Sequence, residues 1–144
     1  MTTKLEELKN NLFEFLGLEP IEIKYEDLGV EDSRFYTHDL YISINEKYKD
    51  NEYETMKCLI HEIRHYFQLV VVICGEDDNL QYDYWKKEFK NSIKLKPEEA
   101  LCQYIEIDAF AFTKYILREW YGIEYHHYDN EYDKILDKFI SIYY

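Results

Sequence analysis

Along the first eighteen residues, MTTKLEELKNNLFEFLGL, leucine and phenylalanine return at helical spacing. Leu5, Leu8, Leu12, Phe15 and Leu16 fall on one stripe, which predicts an amphipathic helix over residues 3–16 that Gly17 stops. The period then drops to two. PIEIKY (20–25) alternates apolar and charged residues, the pattern of a half-buried strand, and RFYTHDLYISIN (34–45) predicts two short strands about a turn at His38-Asp39. From residue 52 to about 73 the helical period returns, with Asp50 and Asn51 as cap candidates. The second half of that helix, YFQLVVVIC, is apolar nearly all round, which places it through the middle of the domain. Its β-branched run leaves a strand as the alternative for the last residues. GEDDN (75–79) is a polar loop, and LQYDYWKKEFKNSIK (80–94) reads as helix. Pro97, with Glu98 and Glu99, opens a further helix expected to continue to Gly122, and a last helix covers 129–142. The sum is an α+β fold: a small sheet made early, then helices packed around it.

Composition narrows the class. A chain of 144 residues with four Gly, two Pro and no internal repeat reads as one domain over 1–144, long enough to bury a core. A net charge of −13 argues against nucleic acid as a partner, because phosphate binding rests on Lys and Arg, and favours a neutral or basic partner. Sixteen tyrosines supply amphipathic contact area. Cys58, Cys74 and Cys102 form no C-x-x-C pair, which favours reduced thiols in a cytoplasmic protein. The N-terminal segment lacks the apolar stretch of a signal peptide, and the longest apolar run, LVVVIC (69–74), is too short for a membrane span.

The candidate chemistry lies in CLIHEIRHYFQ (58–68), where His61, Glu62 and His65 have the H-E-x-x-H spacing. Two histidines four apart on a helix project from one face and can reach one ion. The intervening Glu62 sits a step round the helix, where it can take a proton from a metal-bound water without becoming a ligand. Tetrahedral zinc needs a third protein ligand. YIEIDAFAF (104–112) offers Glu106, whose stripe of Cys102, Ala109 and Thr113 is small enough for close packing, and Asp108, on the other side of the helix. Glu106 is preferred and Asp108 is the alternative.

HEIRH followed some forty residues on by EIDAFAF resembles the arrangement of gluzincin-type metallopeptidases, in which H-E-x-x-H precedes E-x-[ED]-A-x-x-F. The compact ImmA/IrrE-type proteins are similar in size and layout. The resemblance covers roughly residues 55–113. It implies a minimal zincin-like domain with one Zn²⁺ per chain on His61, His65 and Glu106, and Glu62 as general base. It also implies hydrolysis of a protein or peptide substrate, aligned beside an edge strand such as LYISI. Some gluzincins carry an Asp four residues after the ligand Glu to orient a histidine; here that position is Phe110, and Asp108 is the candidate for the task. YHHY (125–128) supplies His126 and His127 as candidate proton donors or oxyanion stabilisers, with Tyr82 and Tyr84 as rivals. One of these histidines as third ligand, as in SprT-like proteases, is a further alternative. His38 is read as structural. The competing class is a non-catalytic acidic protein-binding module, one that mimics nucleic acid or masks a basic partner.

Overall fold

The computed structural model describes residues 1–91, 97–101 and 103–144. Its contacts divide the chain into two units, Met1–Phe67 and Gln68–Tyr144. Among the described residues no helix is long and apolar enough to cross a membrane.

The first unit opens with α1 (Thr3–Leu16), whose N-terminal Leu5 N–H is capped by Thr2 Oγ1 at 3.3 Å. Gly17 closes the helix at φ 67°, a left-handed turn that leaves its own N–H on Glu14 O and that of Leu18 on Phe13 O. Leu5, Leu8 and Leu12 are buried as their spacing predicts. The stripe ends differently: Phe15 is 56% exposed and Phe13 is buried in its place. A ring contact decides this, since Phe13 packs edge-on against Tyr66 with centroids 6.4 Å apart.

Three strands follow, β1 (Glu22–Glu26), β2 (Ser33–Tyr36) and β3 (Tyr41–Asn45). Their order is β1-β3-β2, with β3 parallel to β1 and antiparallel to β2. The expectation that LYISI forms an edge strand is therefore corrected. Tyr41–Asn45 is the central strand, both of its ladders are filled, and no peptide can join it. Ile42 and Ile44 point into the core from β3. The loop between β1 and β2 folds back over the far end of the sheet, where Asn45 Nδ2 donates to the carbonyls of Gly29 and Glu31 at 3.0 and 2.8 Å. That anchoring fixes where Ser33 begins β2.

The long helix α2 (Glu52–Cys74) starts where Asn51 Oδ1 accepts the Glu54 N–H at 3.1 Å. It stays helical through the β-branched run to Cys74 and ends at Gly75. Met56, Leu59, Ile60, Ile63 and Tyr66 form its buried face in the first unit.

The second unit contains the end of α2, then α3 (Tyr82–Asn91), the single turn α4 (Pro97–Ala100), α5 (Tyr104–Tyr121) and α6 (Asn130–Tyr143). The end of the helix expected over 80–94 lies outside the described residues from 92 on. The helix expected from Pro97 to Gly122 is broken after α4, and Gln103 is extended at φ −70°, ψ 147°. The break has a physical cause. The Glu88 carboxylate of α3 accepts the Tyr104 and Ile105 N–H groups at 2.8 and 3.0 Å, so α5 begins as a separately capped helix. Its middle packs on α6, with Ala111 against Tyr132, Leu136, Phe139 and Ile140 in one buried cluster. Asp129 caps α6 by accepting the Glu131 and Tyr132 N–H groups.

Candidate metal centre

The i, i+4 spacing on α2 does what helix geometry requires of it. His61 Nε2 and His65 Nε2 lie 3.1 Å apart, with their rings nearly perpendicular at 85°. At that separation one ring donates an N–H to the other, or both lone pairs face a common cation. Two nitrogens roughly 2.0 Å from a tetrahedral zinc stand about 3.3 Å apart, so the pair fits a single ion with little adjustment. With Glu106 they form a group that could hold a metal ion: one ligand atom from each of His61, His65 and Glu106 lies within 4.8 Å of the others. Two imidazoles and a carboxylate are a donor set that divalent zinc accepts. Cys102, on the small-residue stripe of Glu106, lies outside the described residues.

Glu62 is on the same helix and only 5% exposed. A buried carboxylate needs partners, and Ser33 Oγ donates to its Oε2 at 2.9 Å. Cys58, one turn before Glu62, is also buried there, and its thiol donates to Asp32 O at 3.8 Å. Burial pushes that thiol up to about 12, and the Glu62 charge adds to the rise against a hydrogen bond with Ser33. Cys58 therefore stays a neutral thiol at neutral pH.

Asp108 is fully buried, and three side chains donate to it. Gln68 Nε2 reaches its Oδ2 at 2.8 Å, while Gln81 Nε2 and the Tyr144 hydroxyl reach its Oδ1 at 3.2 and 2.5 Å. A carboxylate held this way is a fixed part of the interior.

The candidate histidines near the C-terminus have defined neighbours. His127 is buried between the rings of Phe110, Tyr128 and Tyr132, and its Nδ1 accepts the Asp129 N–H at 3.1 Å. His126 is exposed, with Nδ1 3.0 Å from Asp133 Oδ2. Both lie in the segment just before α6. Tyr84 stacks on Tyr104 with ring centroids 4.0 Å apart, and His38 is exposed in its turn.

Sequence reasoning missed Ser33, Gln68, Gln81, Tyr144 and Glu88. Only Gln68 left a signal, as the single amide within the apolar run YFQLVVV. Compared with protein-family models, curated proteins and solved structures, the chain matches none.

Proposed function

We propose that this protein is a zinc-dependent metallopeptidase in which His61, His65 and Glu106 hold the ion and Glu62 is the general base. The observation that supports this most is the grouping of those three donors within 4.8 Å, next to a glutamate whose position on the helix keeps it out of the ligand set. Zinc bound there would act as a Lewis acid on the scissile carbonyl and lower the pKa of an attacking water. Ser33 occupies Glu62 Oε2, which leaves Oε1 to take the proton of that water and hand it to the departing amine. The burial of Glu62 keeps competing water away from the transfer. The peptide itself would lie along β2, which pairs on one side only among the described residues and begins at the serine bonded to Glu62.

The test has two steps. Protein purified without added zinc is expected to carry close to one zinc per chain, strongly reduced by His61→Ala or His65→Ala. Glu62→Gln is expected to keep the metal and the fold while cleavage slows by roughly 10² to 10⁴-fold. Substrates come from incubation with cell extract and mapping of new peptide ends. A wild-type chain that cannot take up zinc at neutral pH leaves the acidic binding module as the better reading. A Glu62→Gln variant that cleaves at the wild-type rate removes Glu62 from the chemistry.

A further inference from the structure

Gln68 lies three residues beyond His65 on α2 and is 0% exposed. An amide buried in so apolar a stretch is costly unless its groups are used. Its Nε2 donates twice, to the Ile105 carbonyl at 3.0 Å and to Asp108 Oδ2 at 2.8 Å. These two acceptors bracket Glu106 in the first turns of α5.

Several other contacts hold the same turn. Both backbone polar groups of Ile105 are engaged, its N–H donating to the Glu88 carboxylate at 3.0 Å and its carbonyl accepting from Gln68. Asp108 is braced from its other oxygen by Gln81 and Tyr144. Gln81 shows how strongly the surroundings serve that carboxylate. Turning its amide would set a carbonyl oxygen against Asp108, and in the orientation adopted Oε1 is buried without a hydrogen-bond partner among the described residues. The break before α5 interrupts the helix ahead of the segment that carries Glu106, so the first N–H groups of α5 take their partner from Glu88.

We propose that Gln68 is a positioning residue for the Glu106 ligand, fixing the turn of α5 that bears it to α2 through the Ile105 carbonyl and the Asp108 carboxylate. The inference rests on the metal-site reading above. It assigns Gln68 a role in metal affinity distinct from any share it has in overall stability, and makes Tyr144 and Gln81 its supports.

The experiment measures zinc affinity of the full chain by chelator competition at neutral pH, alongside the melting temperature of the metal-free chain. Gln68→Leu keeps the volume and removes the donor, and is expected to weaken zinc binding by roughly 10 to 100-fold. Leu136→Ala, in the core between α5 and α6, is the control. It is expected to lower the melting temperature by roughly 5 to 15 °C while zinc affinity stays within about two-fold. A Gln68→Leu chain that binds zinc as tightly as wild type overturns the inference, and so does a Leu136→Ala chain that loses as much affinity. If Gln68→Leu does not fold, Tyr144→Phe decides, with a loss of roughly three to ten-fold expected and unchanged affinity overturning the inference. A wild-type chain that takes up no zinc overturns the metal-site reading, and this inference with it. Wild-type uptake without loss in the variants overturns the inference alone.

Discussion

Replacing Asp133 with asparagine should cost the protein stability at neutral pH and almost none in acid. Asp133 stands in the first turn of α6 and meets three groups. Its Oδ1 accepts from Lys114 Nζ and from the His127 N–H, each at 2.9 Å, and its Oδ2 lies 3.0 Å from His126 Nδ1. Lys114 is only 4% exposed, and its second partner, Asp137 at 2.8 Å, has a side chain 57% exposed. Burial alone would raise the Asp133 carboxyl. The His127 amide, the Lys114 ammonium and His126 outweigh it and bring the group from 3.8 down to about 2. A gap of that size corresponds to about 2 kcal/mol of stability. Because the folded value is the lower one, the contribution is complete above the unfolded value near 3.8 and is lost as pH falls through about 2. Lys114 has the opposite sign. Burial lowers it, but Asp137 and Asp133 raise it beyond 10.5, so its share is present at neutral pH and fades only in strong base. Asparagine still offers an oxygen to the His127 N–H, so the charge is the main thing removed. Urea unfolding followed by circular dichroism should show Asp133→Asn about 2 kcal/mol less stable at pH 7, and melting roughly 4 to 8 °C lower. The difference should shrink steadily between pH 4 and pH 2. A difference that stays constant over that range, or one below about 0.5 kcal/mol at pH 7, refutes the assignment of this stability to the Asp133 charge.

If the proposed ligands hold zinc, Glu106→Ala should weaken its retention by orders of magnitude, whereas Asp108→Asn should cost roughly 10 to 100-fold, because it leaves those ligands in place and disturbs only the turn that carries Glu106. The reverse ranking in a chelator competition would make Asp108 the ligand, and no loss from either would move attention to His126 or His127. Alkylation at pH 8 should modify the exposed Cys74 and spare the buried Cys58, held at about 12, until the chain is unfolded. Peptide mass mapping reads the outcome, and rapid labelling of Cys58 in the folded chain would contradict its environment.

The parts of this protein that could be read from its sequence are those governed by contacts between neighbours along the chain. The His61–His65 pair, the Gly17 stop and the Asn51 cap all follow from helix geometry over four residues or fewer. The strand order does not. Ser43 and Asn45 alternate with Ile42 and Ile44 as if they faced water, yet both are buried. Ser43 donates to Glu26 and Asn45 to the carbonyls of the β1–β2 loop, so the polar face of β3 is covered by its own neighbours. A half-polar strand reads the same at the edge of a sheet as in the middle.

The break before α5 failed for a related reason. Residues 97–121 have good helical composition throughout, and what interrupts them is a carboxylate on another helix, Glu88, that satisfies two N–H groups and makes a second start affordable. The candidate site shows the same division. His61, Glu62 and His65 could be proposed from sequence because H-E-x-x-H is a local pattern, whereas Ser33 and Gln68 meet Glu62 and Asp108 across 29 and 40 residues of chain. A lone polar residue in an apolar run nevertheless predicts a distant partner, since an unpaired buried amide would cost more than a helix gains by carrying it. Gln68 is that residue here, and its two acceptors lie on either side of Glu106.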